Sequence, residues 1–380
     1  MFFCLLMCLF GCGRTTESSH STIPSLEEQK TKSVHNEYFN PTYPVLNGTK
    51  MPTYTADPYV VRDDDRMYYM YCTQTEVYDG SGYAVFKRGP VYRSIDLVRW
   101  EFCGDVFSSY DPDWGTKGAG VWAPTVVKVG DRWNYYYSLS VGSDENPGIG
   151  VATSHTPYGP WTHYGKLFTS EEIGVTNSID PHVFYDDEKL YMVFGSYGGL
   201  ITIVELTEDG LNLKNGLEYQ KEHKVALGGY EIFEVNNYEA SFIFKRYGKY
   251  YLLLSTGTCL SGTNSTYRVV CGKSDSLFGP YVSSDGRDLF GPNRGEIVVS
   301  PALSGAMGVG HACVIEDDED RLWMIYHGYN TKAEGKEKDY RSLYLDQLLF
   351  HPETGYPMIE GYVASNQEAK AGPYIRALEE

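Results

Sequence analysis

Five stretches of the chain repeat one pattern of apolar and polar positions. Each has a short polar or proline-bearing lead-in, three or four apolar residues, a polar turn, and then an aromatic-rich strand. They are TADPYVVRDDDRMYYMYCT (55–73), VWAPTVVKVGDRWNYYYSLS (121–140), SIDPHVFYDDEKLYMVFGS (178–196), YEASFIFKRYGKYYLLLST (238–256) and GHACVIEDDEDRLWMIYHG (310–328). Two strand-like runs joined by such a turn predict a β-hairpin. Aligning the five places Asp57, Ala123, Asp180, Ala240 and His311 at equivalent positions, a repeat of roughly 57 to 71 residues.

Further strand candidates follow three of the hairpins: YRSIDLVRW, ATSHTPYGPW and GKSDSLFGPY. No strong helical period occurs anywhere. The expectation is therefore all-β: five four-stranded units around an axis, a five-bladed β-propeller filling residues 46–380 as one catalytic domain. Innermost strands of a propeller start near its central cavity, so Asp57 and Asp180 would converge there despite their separation in sequence. The plainer alternative is that Asp-Pro merely opens a strand, because Pro is tolerated at its first residue and Asp suits a turn. Glu239 and His311, at or next to the same position, favour convergence.

Residues 1–10 are almost wholly apolar and lead into Phe-Gly-Cys12. This is read as a lipoprotein signal over 1–11, cut before an acylated Cys12, although it lacks the usual basic start. A plain secretory signal is the alternative. Residues 12–45, rich in Ser, Thr, Glu and Lys, are read as a flexible tether. The expectation is an exported, membrane-anchored monomer, periplasmic or at the cell surface, touching the membrane only through lipid. Of eight cysteines, five lie beyond the leader, with no CxxC spacing. They predict neither a zinc site nor a full disulfide framework; one disulfide stays open.

Composition narrows the partners. The formal net charge of -18 argues against nucleic acid and anionic membrane surfaces. A neutral glycan is compatible, and aromatics at 15%, 34 residues of them Tyr, suit both pleated strands and sugar binding. Glycosidic hydrolysis needs two carboxyl groups, one activating water or attacking carbon and one protonating the leaving oxygen. Asp57 and Glu239 are candidates, with Asp180 a third acid that raises the pKa of Glu239. Three acids together repel, so His311 is expected to help hold a cation, mostly through water. One feature resists this scheme: Glu239 sits one residue ahead of the aligned aspartates, and a one-residue offset turns a strand side chain away.

At these residues the chain resembles glycoside hydrolase family 43, closest to its endo-acting 1,5-α-L-arabinanases, over about residues 50 to 361. The motifs are VWAPTVV, NSIDPHVF, YEASFIFKRYGKYYLLLSTGTCLSGTNSTYRVVCGKSDSLFGPYV, GVGHACVI and RSLYLDQLLFHPETGYPMI. The resemblance implies an inverting hydrolase of α-1,5-linked arabinan, with Asp57 as general base, Asp180 as pKa modulator and orienter, and Glu239 as general acid. It also implies a calcium-like cation at His311, Arg341 beside the reacting sugar, and Trp122 and Asn177 as substrate contacts. Arg341 also reads as an exposed arginine opening a strand, and Trp122 as cavity lining. The chain departs from the family at Ala56, Thr125 and Gly198, where His, Asp and Trp are usual. Exo-acting α-L-arabinofuranosidase or β-xylosidase activity, or a glycan-binding propeller without activity, are the competing expectations.

Overall fold

The computed structural model describes residues 23–31, 36–230 and 238–376. The five hairpins are the inner halves of five blades, as expected. Blade 2 runs Gly120–Val129, Arg132–Ser140, Gly148–Ser154 and Thr162–Thr169, each strand antiparallel to the last. Blades 3 and 4 repeat this, starting at His182–Asp186 and Tyr238–Arg246. Blade 1 starts at Tyr59–Arg62 and carries two extra outer strands, Pro44–Leu46 and Thr49–Lys50. Blade 5 is Ala306–Glu316, Leu322–Asn330 and Arg341–Gln347.

Second strands such as Tyr68–Tyr71 and Leu322–Asn330 are buried at every residue. They lie mid-blade with a neighbouring blade against each face, so they read as continuous apolar runs rather than alternating ones. The outermost strand of blade 2, Thr162–Thr169, alternates because one face meets water. Tyrosine suits the inter-blade layer because its ring packs while its hydroxyl reaches a carbonyl. Tyr71 donates to Pro157 O, Tyr136 to Gly210 O and Tyr251 to Gly355 O. Cys72, Cys271 and Cys313 are buried thiols, and all five cysteines beyond the leader are free.

The N-terminal segment differs from expectation. The leader and Cys12 lie outside the described residues, but much of the expected tether is docked. The helix Leu26–Gln29 is held by a reciprocal pair: Gln29 Nε2 donates to Phe350 O at 2.8 Å, and Phe350 N to Gln29 Oε1 at 2.6 Å. Glu37–Phe39 pairs with Ala369–Ala371, and Thr42 bridges Leu343 where blade 5 lacks a fourth strand. The ring is thus closed by N-terminal residues. Polar composition concealed this because the segment supplies backbone hydrogen bonds and buried amides more than apolar bulk. Among the described residues, no helix is long and apolar enough to cross a membrane.

Candidate active site

The five aligned residues share an unusual backbone. Asp57, Ala123, Asp180, Ala240 and His311 have φ of 55, 43, 57, 55 and 52°. Non-glycine residues rarely adopt this left-handed region, at a cost of order 1 kcal/mol each. Here it bends every inner strand where it meets the axis. The bend also resolves the offset of Glu239: pairing with the second strand slips between Glu239 and Phe242. The carboxylate is thereby re-aimed, as a bulge does. Trp122, with the same offset before Ala123, lies at a similar slip and is half-buried.

Side chains from neighbouring blades satisfy the bent N–H groups. Thr73 Oγ1 accepts from Ala123 N at 2.8 Å, Ser138 Oγ from Asp180 N at 2.9 Å, and Ser255 Oγ from His311 N at 2.9 Å. His327 Nδ1 accepts from Asp57 N at 3.1 Å. Burial drives the His327 pKa down to about 4, so a neutral imidazole fits that acceptor role.

Asp57 is ringed by cations and donors. Arg341 Nη1 and His311 Nδ1 each lie 3.2 Å from Oδ1, and Thr73 donates to Oδ2 at 2.6 Å. Burial works to raise its pKa, but Arg341 and His311 outweigh that and hold the carboxyl well below the usual range. Burial opposes charge on His311 too, yet Asp57 and then the other acids lift it to about 9. Arg341 thus meets Asp57 rather than solvent.

Glu239 has a different setting. Tyr267 Oη donates to Oε1 at 2.6 Å and Ser196 Oγ to Oε2 at 2.8 Å. Burial raises its pKa, and the two hydroxyls pull only part of the way back. Asp180 accepts from Ala240 N at 3.2 Å. Burial, with Glu239 and Asp57 adding to it against His311, pushes Asp180 up to about 7. One axis therefore holds a carboxylate kept ionised and a pair of acids inclined to keep a proton.

Asn177 spends its amide on the Tyr197 carbonyl, at 3.1 Å, and touches none of the three carboxylates. Among the described residues, no three His, Cys, Asp or Glu side chains are placed to hold a metal ion together. His311 also turns Nδ1 to Asp57. The donor set among the described residues therefore does not fit a cation bound directly by protein.

Sequence reading missed Tyr267, Ser196, Thr73 and His327. Thr73, Ser138, Ser255 and His327, in or just past the second strands of four blades, hold the strand heads, a signal visible only once the hairpins are registered. Gly310 makes room for Tyr267: a Cβ there would collide with its ring.

The chain is 28% identical over 275 residues to the extracellular exo-α-(1→5)-L-arabinofuranosidase ArbA of Cellvibrio japonicus, covering 67% of this chain and 77% of that one. It is 31% identical over 230 residues to the probable arabinan endo-1,5-α-L-arabinosidase C of Aspergillus clavatus, covering 58% and 69%. The structure of Cellvibrio cellulosa α-L-arabinanase complexed with arabinohexaose superposes with a TM-score of 0.67 at 23% identity, over 83% of this chain and 100% of that one, which speaks to the fold. Residues 42–354 match the model of glycosyl hydrolases family 43, and the chain belongs to that family of glycoside hydrolases.

Proposed function

We propose that the protein hydrolyses α-1,5-L-arabinofuranosyl linkages of arabinan with inversion. The observation that carries this reading is the opposite electrostatic setting of two acids on one axis, Asp57 held ionised and Glu239 held toward its protonated form. In this scheme Asp57 takes a proton from water as the water oxygen bonds to the anomeric carbon. The glycosidic C–O bond breaks, and Glu239 gives its proton to the departing oxygen. Asp180 keeps the pKa of Glu239 high and anchors Ala240 beside it. Arg341 holds Asp57 in its ionised form near the sugar, and Trp122 offers a face for stacking. Asn177 acts by shaping the Tyr197 loop.

Relatives named for both endo- and exo-action support an arabinan substrate and leave the mode to experiment. Endo-action is the primary reading. Incubation with linear arabinan, branched arabinan and arabinoxylan, followed by chromatography, decides: early oligomers mean endo, and monosaccharide alone means exo. Binding without any turnover would overturn both in favour of a glycan-binding propeller.

Two accounts of charge balance are to be separated. One is protonated His311 with Arg341; the other is a hard cation such as calcium held through water beside a neutral His311. The 3.2 Å contact of His311 Nδ1 with Asp57 favours the first. Export fits a relative named extracellular. Anchoring through acylated Cys12, as a monomer, is part of the same reading; Cys12→Ala should release the protein from membranes.

A further inference from the structure

Four of the five bent strand heads obey one rule, and blade 3 breaks it. In the other blades a side chain at the end of the second strand caps the head of the next blade. Registered pairing places Gly195 at that position in blade 3: Gly195 N donates to Ile179 O at 2.9 Å, as Thr73 N does to Ala56 O at 3.1 Å. Gly195 has φ of 125°, and a Cβ there would collide with the Leu200 carbonyl. With no side chain to cap it, Ala240 N turns to Asp180 Oδ2. The next residue, Ser196, 1% exposed, gives its hydroxyl to Glu239 Oε2 at 2.8 Å. At Gly195 and Ser196 blade 3 thus exchanges a backbone cap for a donor to Glu239.

We propose that Ser196 is a positioning residue for Glu239, fixing its carboxyl rotamer and stabilising the carboxylate left once the proton has gone. This rests on Glu239 being the general acid. A serine hydroxyl rotates freely and serves both protonation states, donating to the carboxylate and accepting from the acid. Tyr267 holds the other oxygen. The other titratable groups linked electrostatically to Glu239 are His311, Asp57 and Asp180, with Tyr197 and Cys259 feeling its charge.

The test is kinetic. In the full-length protein, Ser196→Ala removes the donor and Ser196→Thr keeps a hydroxyl. Hydrogen bonds to charged groups predict a loss of kcat on linear arabinan of about tenfold or more for Ser196→Ala. The loss should be smaller on an aryl arabinofuranoside with an acidic phenol, which needs little protonation. Losing a donor to the carboxylate raises the pKa of Glu239, so the alkaline limb of the pH profile should move to higher pH. Ser196→Thr should restore both. Ser255→Ala, which removes a backbone cap, should lower the melting temperature and reduce both substrates alike. Wild-type inactivity on both substrates would overturn the functional reading and this inference with it. Wild-type activity, with Ser196→Ala losing both substrates equally and keeping its alkaline limb, would overturn the inference alone.

Discussion

Two of the places where this molecule buries carboxylates do different work. At the axis stand Asp57, Asp180 and Glu239. At the seam where the ring closes stands Asp346. Its carboxylate accepts from Tyr326 Oη at 2.7 Å, Ser365 Oγ at 2.9 Å and Asn40 Nδ2 at 3.1 Å. Burial raises its pKa, Tyr326 and Ser365 pull it partly back, and it settles at about 6. Asp180, at about 7, is perturbed in the same direction. A raised pKa therefore does not by itself mark a catalytic acid. The neighbours separate the two places. Asp346 is met by neutral donors from the N-terminal segment, blade 5 and the C-terminal residues, which knit the seam. The axial acids meet one another, an arginine and a histidine, which push Asp57 toward the ionised form while burial pushes Glu239 and Asp180 the other way.

Mutation should split these roles. The largest effect is expected for Glu239→Ala, which should lower kcat on arabinan by about 10²–10⁴-fold. It should keep part of its activity on an aryl arabinofuranoside, whereas Asp57→Ala should fail on both. Equal loss on both substrates for Glu239→Ala, with Asp57→Ala sparing the aryl substrate, would reverse the assignment. Asp346→Ala should do the opposite, leaving kcat of the folded protein near wild type. It removes the acceptor of the Tyr326 and Ser365 hydroxyls and should lower unfolding stability by about 3–5 kcal/mol in urea titration. A dead but stable Asp346→Ala would erase the distinction.

pH sharpens the comparison. The Asp346 pKa is raised from 3.8 to about 6, so its proton is held more tightly in the folded state. Its contribution is full below pH 3.8 and is lost as pH rises through about 6. Wild type should therefore lose stability relative to Asp346→Asn between pH 4 and 7, by at most about 3 kcal/mol. A difference independent of pH would mean that Asp346 ionises freely. At the axis the signature is catalytic. If Asp180 raises the pKa of Glu239 as the proposed scheme requires, Asp180→Asn should move the alkaline limb to lower pH, with reduced kcat. The smallest effect is expected from chelation. Exhaustive EDTA treatment should leave both melting temperature and activity within about twofold, since the donor set fits no directly bound ion. Loss of activity restored by calcium would instead favour the water-held cation.

Much of this was legible in the sequence. The hairpin repeat comes from local patterning, so five blades and five aligned heads followed from apolar runs and turns. Asp57, Asp180, Glu239 and His311 stood out because they occupy that repeat. Their partners did not, because register decides them. Hairpin pairing leaves five residues, 63–67, in the turn of blade 1 but two, 187–188, in blade 3. That difference alone decides that Thr73 faces a strand head while Gly195, not Ser196, takes the matching place.

What the sequence determined by itself is the set of short-range choices: which runs are strands, where they turn, and which acids begin them. What only the tertiary structure decided is every contact between blades. These include the left-handed bend that re-aims Glu239, the Tyr267 and Ser196 hydroxyls on its carboxylate, the cations around Asp57, and the docking of residues 36–45 into the closing seam. The reason is physical. Each such contact joins residues far apart in the chain, and its geometry exists only after packing has fixed the register and bend of both partners. The strained φ at the five heads is the clearest case: Asp and His enter that region more readily than most residues and Ala does not, yet all five adopt it where the ring assembles.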